Sequence, residues 1–200
     1  MTDVAGRVLP FLEEGQRRGF LGPGPLGPHV DHALHLVPVL PASGLVIDLG
    51  SGGGLPGLPL AIARPDLRWF LVDANKRRTD WLAEVVAELD GIDIEVRRER
   101  AEEMGRGPVR GQADAVVARS FAAPAITAEC AAPLLRLGGI LWVAEPPTAS
   151  DDRWPADGVA ILGLDAAGEA VPKWRGLALV RPCPDRYPRR TGIPAKRPLF

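Results

Sequence analysis

The apolar run Leu45-Val46-Ile47 leads directly into Asp48-Leu49-Gly50-Ser51-Gly52-Gly53-Gly54-Leu55-Pro56-Gly57. A strand that breaks into glycines and then opens a helix lets backbone approach a ligand closely at the carboxyl edge of a sheet. This predicts a ligand site on Asp48, Gly50, Gly52 and Gly54. The chain around it repeats the unit. Residues 69–72, 92–96, 115–118 and 140–143 read as further strands, and 56–63, 76–89 and 124–135 as helices. Strands alternating with helices predict an α/β fold, a mostly parallel sheet with helices on both faces.

The flanks follow other patterns. Val4, Val8, Phe11 and Leu12 recur at helical spacing, with Pro10 weakening the interior of that helix. Gly22-Pro23-Gly24-Pro25 and Gly27-Pro28 force a loop, and an apolar helical pattern resumes from His29 to Leu40. Residues 1–43 therefore read as a helical cap on a domain spanning 44–180. After Glu145 the alternation stops. Val159 to Leu162 and Leu177 to Val180 read as two strands of an antiparallel edge, and Glu145 to Pro155 as an exposed loop.

Of the 200 residues only Cys130 and Cys183 are cysteines, too few for a disulfide scaffold or a cysteine-based zinc site. The first thirty residues carry charges throughout, no apolar run approaches a membrane span, and a cytoplasmic protein without membrane contact is expected. Net charge is −1, but six basic side chains against one acid give residues 181–200 a charge of +5 and leave −6 on the rest. A basic arm on an acidic body suggests a polyanionic partner reached by Arg189, Arg190, Lys196 and Arg197. The arm is expected to bind RNA and not cofactor, lying far past the sheet in sequence. His29, His32 and His35 drift around a helix without clear acid partners, so helix-face or substrate contacts are expected and no metal.

Two ligands suit the glycine loop. Gly52 to Gly57 satisfy G-x-G-x-x-G, and Asp73 lies 21 residues beyond Gly52, where a dinucleotide-binding protein places its ribose-binding acid. Asp48, aimed at the ligand from the strand end, suits instead a cofactor carrying an ammonium group. Asp73 can accept from ribose hydroxyls, while Asn75 caps the helix that follows. Arg100-Ala101-Glu102-Glu103, after the third strand, reads by itself as a solvated charged turn. A hydride-transfer pair such as Tyr-x-x-x-Lys is missing, Tyr187 being the only tyrosine.

The ordered set Asp48 to Pro59 (DLGSGGGLPGLP), Leu71-Val72-Asp73, Lys76-Arg77-Arg78, Arg100-Ala101-Glu102, Ala118-Arg119-Ser120-Phe121-Ala122 and the closing Tyr187 to Leu199 resembles a bacterial family. Its members methylate N7 of a guanine in small-subunit (16S) ribosomal RNA and are also called glucose-inhibited division protein B. The resemblance covers roughly His29 to Arg136 plus the tail, and includes His32. It implies a Rossmann-like class I S-adenosylmethionine-dependent methyltransferase, with a seven-stranded, mostly parallel sheet, an antiparallel edge and a short N-terminal helical cap. It further implies S-adenosylmethionine contacts at Gly50 and Leu55, at Asp73 on the ribose, and at Ala101 and Glu102 on the adenine. Arg119 falls near the methionine end or the substrate, and the partner is ribosomal RNA or the small subunit. Two departures stand out: the usual lysine-glycine pair is replaced within Trp142-Val143-Ala144-Glu145-Pro146-Pro147, and the N-terminal Asn-Leu-Thr motif is unrecognisable.

Guanine N7 has a free lone pair and loses no proton on alkylation, so alignment can suffice, with Arg119 as the orienting catalytic candidate. A C5 methylase would need a nucleophilic cysteine, which neither cysteine's context suggests. A methyltransferase with another substrate, an NAD(P)-dependent oxidoreductase and a noncatalytic RNA-binding domain remain as alternatives.

Overall fold

The computed structural model describes residues 3–146, 148 and 151–200. Seven strands, β1 (Leu45–Leu49), β2 (Arg68–Asp73), β3 (Ile94–Arg98), β4 (Ala113–Ala118), β5 (Leu135–Ala144), β6 (Leu164–Ala166) and β7 (Trp174–Leu179), form one sheet in the order β3-β2-β1-β4-β5-β7-β6. The first five are parallel, and β7 runs antiparallel to both β5 and β6. The central strands are buried on both faces, which is why they read as unbroken apolar runs. At the edge, β3 carries Glu95, Arg97 and Arg98 instead.

Strand residues alternate between two cores. Val46, Trp69, Leu71 and Val117 face the helices α1 (Val4–Arg17), α2 (Gly27–Leu34), α3 (Gly57–Ala63) and α4 (Lys76–Val86). Ile47, Leu49, Val72 and Val116 face α5 (Ala101–Met104), α6 (Pro124–Ala131), α7 (Ala156–Ala160) and the C-terminal segment with its short α8 (Ile193–Lys196). Strand order reverses between β1 and β4, so the chain leaves their carboxyl ends in opposite directions. A crevice opens there.

Two local expectations need correction. Val159 to Leu162 is not a strand: it ends α7, and Val159 and Leu162 are buried one helical turn apart, a pattern a four-residue apolar run cannot distinguish from a strand. The edge strand is the shorter β6 beyond it. The stretch from Glu145 to Pro155 is not wholly exposed, because a 3-10 turn at Asp151–Arg153 delivers Trp154 into the core; Pro147, Ala149 and Ser150 lie outside the described residues. The expected helix α1 runs through Pro10, and its buried Val4, Val8 and Leu12 hold it against α3. Tertiary burial outweighs one missing backbone hydrogen bond there.

Candidate cofactor and substrate site

The glycine loop is pinned to the neighbouring strand. The amides of Gly50 and Ser51 both donate to the Val72 carbonyl, at 2.8 and 2.9 Å. Gly52 donates to Asp73 Oδ2 at 3.0 Å, and its φ of +57° is a conformation that L side chains resist. Asp73 Oδ1 accepts from the Asn75 amide at 2.8 Å, and Asn75 Oδ1 in turn caps α4 by accepting from Arg77. Asn75 is thus the cap and Asp73 fronts the crevice; Oδ2 also accepts from Arg78 Nη1 at 3.4 Å, and Oδ1 keeps one position that no described residue fills.

Three cavities meet here. One of about 300 Å3 is lined by Gly50, Asp73, Ala101, Glu102, Phe121 and Ala195. Another, about 180 Å3, lies over the loop and is lined by Gly50, Gly52, Leu55 and Arg119, with Phe20 and Leu21 closing it from the segment after α1. A third, about 450 Å3, is lined by His29, His32, Phe121, Glu145, Arg153 and Lys173, among others. Arg119, Ser120 and Phe121, the turn after β4, sit where the three adjoin. Of the residues singled out by sequence around the loop, Asp48 and Gly54 line none of them: Asp48 is fully buried beneath the loop instead of aimed into the crevice, and the Gly54 carbonyl accepts from Leu58 at the start of α3.

Asp48 lies beneath the loop, fully buried. Oδ2 accepts from the Gly57 amide at 3.1 Å, an approach only a glycine permits, since a Cβ at residue 57 would stand 2.5 Å from that oxygen. Among the described residues Oδ1 has no partner, and neither has the buried Nη1 of Arg119. Burial pushes the Asp48 carboxyl up to about 7, against the pull of Ser51, the Gly57 amide and Arg119; burial likewise lowers Arg119, with Asp48 opposing. A buried acid and a half-buried guanidinium, each with an orphaned atom, fit the ammonium and carboxylate of an amino-acid moiety. Asp73, Ala101 and Glu102 line the chamber where a nucleoside would lie.

The histidines are on the substrate side. His32 stacks on Trp174, with centroids 4.8 Å apart, and its Nε2 donates to the Lys173 carbonyl at 3.2 Å. Burial first, and then Arg119, lowers His29; His32 is lowered chiefly by burial too. Among the described residues no group of three or more His, Cys, Asp or Glu is placed to hold a metal ion, and no helix is long and apolar enough to cross a membrane.

The basic arm departs from expectation. Arg189 is not free for RNA: its amide, Nε and Nη2 donate to the fully buried Glu129 of α6, at 2.9, 2.8 and 2.6 Å. Nor is the arm remote from the cofactor cavity, because Ala195 lines it and the Gly192 amide donates to Glu102 Oε1 at 2.9 Å. Arg190, Lys196 and Arg197 are exposed. Sequence reasoning missed Phe20, Leu21, Glu145 and Ala195 as cavity walls. Nothing local to Phe20 or Leu21 marks them; Glu145, Ala195 and the wall residue Phe121 stood in noted segments, without a cavity role.

The strand order, the pinned glycine loop and the two acids at the ends of β1 and β2 define a class I S-adenosylmethionine-dependent methyltransferase. Within that class, the chain belongs to the GidB family, rRNA small subunit methyltransferase G, whose pattern matches residues 26–152. A Deinococcus radiodurans ribosomal RNA small subunit methyltransferase G is 39% identical over 170 residues, which are 77% of this chain and 65% of that protein. The Syntrophomonas wolfei protein of the same name is 34% identical over 204 residues, covering 94% and 95% of the two chains. Among solved structures, the fold is shared with a T. thermophilus 16S rRNA N2 methyltransferase, RsmC, in complex with AdoMet and guanosine. The TM-score is 0.54 at 21% identity, over 78% of this chain and 40% of that one. A Corynebacterium glutamicum protein matches at a TM-score of 0.60 and 14% identity, over 90% and 93% of the chains. Membership of this methyltransferase family makes S-adenosylmethionine the cofactor, and the dinucleotide alternative is set aside.

Proposed function

We propose that this protein transfers the methyl group of S-adenosylmethionine to N7 of a guanine in 16S ribosomal RNA, on the small subunit or its RNA, in the cytoplasm. The observation that carries the reading is the turn Arg119-Ser120-Phe121, which borders the cofactor chambers on one side and the larger cavity on the other. Held in those chambers, S-adenosylmethionine supplies an electrophilic methyl on a sulfonium, and guanine N7 offers a lone pair that takes it without releasing a proton. The chain's work is then alignment. Asp48 and Arg119 hold the amino-acid end, Asp73 the ribose, and Ala101 and Glu102 flank the adenine. Arg119 keeps its fork at the border, where it fixes cofactor against substrate. Neutral His29 and His32 avoid adding charge beside a cationic methyl donor. Exposed Arg190, Lys196 and Arg197 supply phosphate contacts.

The test is methylation of unmodified 16S ribosomal RNA and of small subunits with isotopically labelled cofactor, followed by nucleoside mass spectrometry. Label in 7-methylguanosine is expected. Label in a different nucleoside, or none on either substrate from protein that binds S-adenosylhomocysteine, refutes the reading.

A further inference from the structure

Across the Arg119-Phe121 turn, the cavity of about 450 Å3 contains a carboxylate that neither the cofactor nor the phosphate contacts employ. Glu145 follows β5 where the sequence departs from the usual lysine-glycine pair. Its side chain is only 10% exposed and lines this cavity, on the wall it shares with a neighbouring one of about 290 Å3 beside Trp174 and Arg175. Two donors fix it in place: Trp154 Nε1 reaches Oε1 at 2.7 Å, and Arg153 Nη1 pairs with Oε2 and balances its charge. A carboxylate oxygen accepts two hydrogen bonds, so each retains one position that no described residue fills. Apolar Phe121 and Pro146 are also in the lining.

We propose that this cavity receives the target guanine and that Glu145 selects it, accepting from N1–H and the exocyclic 2-amino group; the inference rests on the guanine-N7 reading. Those two donors share one edge of the base, and N7 lies on the side away from it. A guanine whose Watson–Crick edge meets Glu145 therefore turns N7 toward the turn that borders the cofactor. Adenine offers an acceptor at N1 and carries nothing at C2, so the same carboxylate rejects it. A site built to receive hydrogen-bond donors discriminates strongly against a base that lacks them.

The experiment first locates the 7-methylguanosine formed by the wild-type enzyme, then compares RNA carrying guanosine with RNA carrying inosine at that position. Inosine keeps N7 and N1–H and lacks only the 2-amino group. For wild type, kcat/KM should fall about ten-fold or more with inosine, the scale of one hydrogen bond to a charged group. Glu145→Gln should be slower on guanosine and should largely lose the guanosine-to-inosine ratio. Trp154→Phe, which removes one anchor and leaves the carboxylate, should keep most of that ratio. Unchanged S-adenosylhomocysteine affinity in both variants reports an intact cofactor chamber. A wild type indifferent to inosine overturns the assignment, and so does a Glu145→Gln enzyme with the wild-type ratio, since Glu145 would then serve only Arg153 and Trp154. Absence of 7-methylguanosine from the wild-type reaction sinks the functional reading itself and the inference with it.

Discussion

Asp48→Asn separates the cost of the buried acid from its use. In the folded protein burial carries the carboxyl from 3.8 to about 7. That is a shift of about 3 units, worth roughly 4 kcal/mol at about 1.4 kcal/mol per unit. Below about pH 4, folded and unfolded chains both hold the proton, and nothing is lost. Between about pH 4 and 7 the folded chain keeps a proton that the unfolded chain has released, so stability falls as pH rises, and beyond 7 the loss is complete. Asparagine has no such proton and can still accept from the Gly57 amide. The stability of Asp48→Asn relative to wild type should thus climb with pH through this window by up to about 4 kcal/mol and then level off. Urea unfolding of both proteins without cofactor, from pH 4.5 to 8, measures the difference, in which unrelated titrations cancel. Saturating S-adenosylhomocysteine should stabilise wild type more than the variant, because the ligand's ammonium compensates the carboxylate. A difference that stays flat across the window would show that Asp48 is not held protonated by burial, and equal stabilisation by ligand would separate Asp48 from the cofactor.

Gly52→Val should abolish measurable S-adenosylhomocysteine binding in calorimetry while the protein still folds, since a side chain at a φ of +57° costs about 1–2 kcal/mol and would project into the loop cavity; wild-type affinity would move the site elsewhere. Arg189→Gln leaves Glu129 buried with its charge unpaired, so a loss of about 3–5 kcal/mol is expected in urea unfolding, along with weaker S-adenosylhomocysteine binding because the arm walls that chamber. Unfolding near wild-type denaturant would refute the clasp. Replacing Arg190, Lys196 and Arg197 by Gln should lower the salt slope of binding to single-stranded RNA by up to about 2, at roughly 0.7 per phosphate, with cofactor affinity unchanged; an unchanged slope would remove the arm from the RNA interface.

The fold was legible because each of its signals is local. An apolar run buried on both faces, a glycine turn and an amphipathic helix announce themselves within a dozen residues, and their alternation implies the parallel sheet. The same holds for Asp73, whose position at a strand end places it at the crevice whatever the rest of the chain does, whereas Asp48, one residue inside its strand, is buried beneath the loop. What failed was ambiguous at short range, such as Val159 to Leu162, where four apolar residues serve a helix end as well as a strand. What could not be read at all depended on pairing across long separations. Arg189 looks like any exposed arginine until Glu129, sixty residues earlier, is brought under it. The arm seemed remote from the cofactor because sequence distance was the only distance to hand, whereas the packing of Leu199 and Phe200 onto the core folds it back and sets Ala195 in the cavity wall. The orphaned atoms of Asp48 and Arg119, and the near-buried carboxylate of Glu145 in a cavity wall, likewise exist only in three dimensions: burial and the lack of a partner are properties of the packed protein and not of any residue in it.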